Sequence, residues 1–154
     1  MKIKNTMLNK SKFIILKMFP KIEKNNYIAW ICSLTIAVFI FYMSSLTSQQ
    51  IPRGGSGASA YLYHVTVFFF LAFFLAAALV KEKNKKLLLL SVAISIIYAL
   101  SDEIHQSFVT GRNSSLKDVF LDFIGISFAS LVYLISLEYR KRITKPLLIL
   151  NNII

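Results

Sequence analysis

The chain has 154 residues, 56% of them hydrophobic and only 16% charged. Its mean hydropathy is +0.61. A soluble domain carries about a quarter charged residues, so this composition excludes one and marks an integral membrane protein with room for about four spans. The net charge of +11 sits in short blocks between apolar runs, with no basic face interleaved with stacking aromatics, which argues against nucleic acid as a partner. The single cysteine, Cys32, excludes an internal disulfide and a cysteine-based metal centre, and reads as a packing residue in the first apolar run.

Residues 1–27 form a basic N-terminal tail carrying Lys2, Lys4, Lys10, Lys12, Lys17, Lys21 and Lys24. Within it, FIILKMF (13–19), stopped by Pro20, reads equally as an amphipathic turn on the membrane surface or as a plain basic tail. The first span is expected over Ile28–Leu46. It exceeds the apolar core of a signal peptide and lacks a small-x-small cleavage site, so it reads as a retained helix. The second span is expected over Tyr61–Val80 and the fourth over Val119–Leu137. Each has the roughly 20 residues that a hydrocarbon core of about 30 Å requires.

The third span differs. Its clean apolar run, Leu87 to Ser101, gives only about 22 Å of helix. To cross, the helix must continue through Asp102, Glu103 and Gln106, which draws an acid pair into the membrane. A cytoplasmic C-terminal tail, 138–154, follows the fourth span.

Fifteen of the eighteen Lys and Arg lie in the N-terminal tail, in KEKNKK (81–86) and in Arg140, Lys141, Arg142 and Lys145. The other two loops hold Arg53, Arg112 and Lys117. The bias predicts an all-α, four-helix transmembrane bundle with both termini cytoplasmic. Residues 28–137 form its membrane domain.

That orientation gathers His64, Asp102, Glu103, His105, Gln106, Arg112, Asp118 and Asp122 in the outer leaflet. On the third span, Ser91, Ser95, Tyr98, Asp102 and Gln106 fall on one stripe. On the fourth, Asp118, Asp122, Gly125 and Ala129 share a face, where Gly125 and Ala129 allow another helix to pack closely. Ionisable groups at this depth are costly and should face the bundle interior in pairs. Asp102 and Glu103 are about 100° apart on a helix, so one is expected inward and the other toward the headgroups.

Each group also has a plainer reading. Ser115-x-x-Asp118 is a variant capping box at the start of the fourth span. Arg112 pins the loop by pairing with a carboxylate, His105 is a solvated interfacial side chain, and His64 is a hydrogen bond between helices. The loops RGGSGASA (53–60) and GRNSS (111–115) lead into helix N-termini that favour anions, whereas the nearby acids repel them unless protonated, paired or metal-bound.

The stretch SDEIHQSFVTGRNSSLKDVFLDFIG (101–125) resembles the core motif of the VanZ-like family: a span ending in Asp or Ala, then Glu-x-x-Gln, followed by an aromatic, a Gly-Arg turn and Ser-Leu-x-Asp leading into a helix with Asn or Asp followed by Gly. Glu103, Gln106, Phe108, Gly111, Arg112, Asp118, Asp122 and Gly125 carry the match, with His64 and Ser44-Ser45 consistent. Thr110 stands where the family pattern has proline, which should loosen the turn. The resemblance implies a multi-pass protein of the bacterial plasma membrane that lowers susceptibility to teicoplanin-type glycopeptides.

The expected partners are membrane lipid and, at the outer face, a lipid-linked cell-wall precursor or the glycopeptide itself. A four-span bundle with polar stripes is also suited to forming a homodimer. Two alternatives stay open. One is a membrane enzyme acting on a lipid headgroup or cell-wall precursor, with Glu103, Asp122 and His64 as candidates for acid–base work. The other is a small transporter subunit, though no inverted repeat or broken helix supports it. No cofactor is predicted, but a divalent cation on oxygen and imidazole ligands is compatible with the same set.

Overall fold

In the computed structural model the apolar runs form four helices: α1 (Asn26–Ser45), α2 (Gly57–Leu79), α3 (Lys86–Ser107) and α4 (Leu116–Asn151). The structure describes residues 26–51, 57–80, 84 and 86–151, so the surface-turn reading of 13–19 lies outside the described residues. Each helix holds a stretch long and apolar enough to cross a bilayer: Tyr27–Ser45, Ala58–Leu79, Lys86–Ser107 and Leu116–Tyr139. The all-helical, four-span architecture expected from the sequence is the one found. The third helix does run on through its acids, as the shortness of its apolar run requires.

All four helices start earlier than the hydropathy alone places them, two of them by three or more residues. α2 begins at Gly57, not Tyr61. α4 begins at Leu116, not Val119, because Ser115 caps it: the Ser115 hydroxyl accepts the Lys117 N–H at 3.1 Å.

The packing follows membrane rules. Large apolar side chains such as Leu34, Phe41, Leu62, Leu89, Ile97 and Phe120 point outward, where lipid would receive them. The interior is built largely of small residues, among them Ala72, Ala76, Ala77, Ala99 and Ala129. Small side chains let helices approach closely, and dispersion and hydrogen bonds then hold them where no hydrophobic drive exists. α2 is central and touches all three other helices, α4 most extensively. Gly125 makes that contact: a Cβ there would overlap the Val65 carbonyl oxygen and come within 3.1 Å of the Phe69 nitrogen.

Hydrogen bonds tie the pairs. The Tyr133 hydroxyl donates to the Val80 carbonyl at 2.9 Å, joining α4 to the end of α2. The Tyr98 hydroxyl donates to the Ala37 carbonyl at 2.6 Å, joining α3 to α1. Ser91 and Ser95 are buried but donate to carbonyls of their own helix, so neither is left unsatisfied. α1 and α3 end, and α2 and α4 begin, at the same end of the bundle. The expected polar residues collect there.

Candidate functional site

At this polar end α2 and α4 present a hydrogen-bonded histidine–carboxylate pair. His64 lies six residues in from Ala58, and Asp122 six in from Leu116, so each stands about 9 Å along its helix. The His64 Nδ1 and Asp122 Oδ1 are 3.0 Å apart, and Asp122 is fully buried. His64 therefore sits deeper than a span starting at Tyr61 would put it. The hydrogen bond across helices, one reading of His64 from sequence, is present.

α3 contributes both acids. Asp102 and Glu103 are each only 6% exposed, so the expectation that one reaches toward the headgroups is corrected. The reason is that α3 touches α1, α2 and α4, and an arc of 100° can lie wholly inside such surroundings. The two acids have separate partners. Asp102 Oδ2 accepts from Gln106 Nε2 at 2.8 Å, one turn along the helix. Glu103 Oε2 accepts the backbone N–H of Ser115 at 2.7 Å.

That second bond revises the capping box. In the expected form, Asp118 would accept the Ser115 N–H. Here Glu103 from α3 takes that place, while Ser115 still caps through its hydroxyl. Asp118, partly buried in the first turn of α4, is thereby released toward His64 and Glu103. One ligand atom each from His64, Glu103 and Asp118 lie within 4.8 Å of one another.

Arg112 is also corrected. Its Nη2 donates to Gln106 Oε1 at 2.8 Å and not to a carboxylate. Since Gln106 in turn donates to Asp102, the amide relays the guanidinium to the acid. The turn that carries Arg112 is tight: the Arg112 N–H donates to the Val109 carbonyl at 3.1 Å, and Gly111 has φ +75°. No non-glycine residue has positive φ among the described residues, so this is a type II turn with Thr110 at its second position. Proline is favoured at that position, which explains its place in the family pattern. Gly111 also packs on the hydroxyl of Ser48, so a side chain there would meet the loop after α1.

His105 stands apart from His64. Its ring stacks on Phe41 with centroids 4.7 Å apart, and its Nε2 lies 2.9 Å from the Ser45 hydroxyl. It is half-buried against α1 and serves that contact. The structure thus brings His64, Glu103, Asp118 and Asp122 together, links Asp102, Gln106 and Arg112 in a second chain, and places His105 elsewhere.

Three buried polar atoms have no hydrogen-bond partner among the described residues: the Tyr63 hydroxyl, Glu103 Oε1 and Asp122 Oδ2. Sequence reading missed Tyr63, because a tyrosine near a span end looks like an ordinary interfacial aromatic. It also missed Ser115 as the partner of Glu103, since a backbone donor has no residue-type signature.

Fold and site together define a polytopic, all-helical membrane protein with a buried cluster of acids and one histidine at one end of its bundle. A family profile described as VanZ/LLP1 matches residues 12–137, and the chain belongs to that family. The match starts inside the basic N-terminal tail. No curated protein and no solved structure matches the chain.

Proposed function

We propose that the polar end faces the outside of a bacterial plasma membrane and that the protein there lowers susceptibility to teicoplanin-type glycopeptides. Orientation rests on the Lys and Arg bias, which keeps both termini and the α2–α3 loop in the cytoplasm. Membership of the VanZ/LLP1 family supports the link to the drug.

The observation that carries the reading is the set of unpartnered oxygens on Tyr63, Glu103 and Asp122. Burying a polar group without a partner costs about 1–3 kcal/mol, so three of them at one end of a bundle suit a ligand that arrives from outside. An apolar groove of about 300 Å³, lined by Ile96, Ala99, Val119, Phe120, Phe123 and Ile126, lies between α3 and α4, the helices that carry Glu103 and Asp122. A polar group flanked by an acyl chain fits this pairing, whether the molecule is a lipid-linked cell-wall precursor or the lipid-tailed drug.

The test compares cells with and without the protein for teicoplanin susceptibility and for labelled drug bound per cell. Lower susceptibility with altered binding is expected, and it should be lost in Glu103→Gln and Arg112→Ala proteins that insert normally. Unchanged susceptibility together with unchanged binding sinks the reading.

The His64–Asp122 pair favours a second reading, an enzyme acting on a lipid headgroup or cell-wall precursor. A carboxylate on Nδ1 fixes the tautomer of an imidazole and readies its other nitrogen for proton transfer. Profiling lipids and cell-wall precursors separates the two. A modified species that appears only with the intact protein establishes the enzyme, and its absence leaves binding alone.

A further inference from the structure

We infer that the polar end holds a divalent transition-metal ion, of the zinc or manganese class, on His64 Nε2, Glu103 Oε1 and a carboxylate oxygen of Asp118. These residues come from three different helices, yet one ligand atom from each lies within 4.8 Å of the others. A metal with bonds of about 2.0–2.2 Å places neighbouring ligand atoms about 3 Å apart, so modest closure completes the set.

Each ligand is prepared by its own surroundings. Asp122 occupies the Nδ1 of His64, which leaves Nε2 as the ring nitrogen with a lone pair to give. Metal-bound histidines nearly always donate their second ring N–H to a carboxylate, a backbone carbonyl or water, which sets tautomer and ring orientation. Glu103 spends Oε2 on the Ser115 N–H and keeps Oε1 buried and unpartnered. Asp118 is spared its capping duty by that same Glu103 bond.

Charge points the same way. Asp102, Glu103, Asp118 and Asp122 crowd one end of the bundle, and none of the four pairs with a Lys or Arg among the described residues. Arg112 is engaged by the Gln106 amide. A divalent cation offsets the excess negative charge, and the imidazole among its ligands favours a transition metal over magnesium or calcium. Three protein ligands leave a position open to water or to a phosphate or carboxylate oxygen. The opposition between anion-favouring helix starts and repelling acids then disappears, because the ion stands between them.

The inference assigns an ion to the end already read as the working site and in that sense rests on that reading. The experiment uses the full chain purified in detergent, stripped with EDTA, then offered ZnCl₂ or MnCl₂ in separate arms and desalted. Metal content by mass spectrometry should show a single ion per chain in one arm, with a raised unfolding temperature in that arm. Glu103→Gln and Asp118→Asn should each lose the ion. Asp122→Asn should retain it with roughly 10–100-fold weaker affinity, as expected of a partner that orients the histidine. Cys32→Ala should bind as the unaltered chain does, which removes the thiol from consideration.

Asp118 lies at the half-exposed start of α4, so Asp118→Asn keeps the test alive should Glu103→Gln fail to fold. No bound ion in either arm overturns the inference, and so does full retention of the ion by a folded Asp118→Asn. Drug susceptibility is scored separately. A metal-free protein that still alters susceptibility overturns the ion and leaves the function standing, whereas a metal-loaded protein without effect on susceptibility supports the ion and overturns the drug reading.

Discussion

The seam between α2 and α4 and the seam between α1 and α3 reach the polar end with one histidine each, and they treat it in opposite ways. Between α2 and α4 the backbones nearly touch at Gly125, and His64 is shut in against a fully buried carboxylate. Between α1 and α3 the contact is looser. His105 stacks on Phe41, meets the Ser45 hydroxyl and stays half-buried. The same side chain is thus a buried carboxylate's partner in one seam and an aromatic packing piece in the other. Closeness of backbone decides it: where helices meet without intervening side chains, polar atoms are cut off from headgroups and water and must find each other.

That contrast is open to breaking. Asp122→Ala leaves the buried His64 Nδ1 without its partner, which costs about 1–3 kcal/mol, and the missing side chain adds the cost of a cavity to that. Reversible unfolding of the detergent-solubilised chain should show the largest loss here. A change as small as that of an exposed polar residue breaks the distinction between the seams. Gly125→Ala comes next. Its new methyl group meets the Val65 carbonyl, a backbone atom that cannot rotate away, so the helices must part at a cost of about 1–3 kcal/mol. Cross-linking between cysteines placed on α2 and α4 should slow as well, and unchanged cross-linking contradicts the close approach.

In the other seam, His105→Ala removes one ring stack and one hydrogen bond, together about 1 kcal/mol. A double substitution with Asp122→Ala should be additive, since the two histidines share no partner, and a marked coupling energy would join the seams that the geometry separates. The smallest effect has the opposite sign. Thr110→Pro places proline at the second position of a type II turn and should stabilise by about 0.4–1 kcal/mol, read as a higher unfolding midpoint. A loss of stability instead shows that the turn needs a different backbone shape at this position.

Much of this was legible in the residues, and the limits are physical. Hydropathy finds the four spans because the bilayer imposes a length on each. The helical period finds the stripe Ser91, Ser95, Tyr98, Asp102 and Gln106: four of these residues are buried and Tyr98 is half-buried. The shortness of the third apolar run places the acids inside the membrane. What a helical wheel cannot register is how many neighbours a helix has. It divides α3 into an inner and an outer side, whereas three helices surround it, so Asp102 and Glu103 are both enclosed. Nor does residue type reveal that Arg112 reaches an amide or that Glu103 reaches a main-chain N–H. Those choices depend on distances set by a loop whose type II turn is recognisable only afterwards.

The bond from Ser115 to Glu103 has a consequence for how the chain enters a membrane. Glu103 is made twelve positions before the residue it accepts from. While only the first three runs exist, the third carries two acids into lipid with one of them unanswered and lacks the apolar length to hold its place. The fourth run supplies the missing donor. The third and fourth runs are therefore best delivered as one hairpin, with the eight residues 108–115 as its tip. A ribosome that pauses between them leaves the third segment free to slip back out of the membrane.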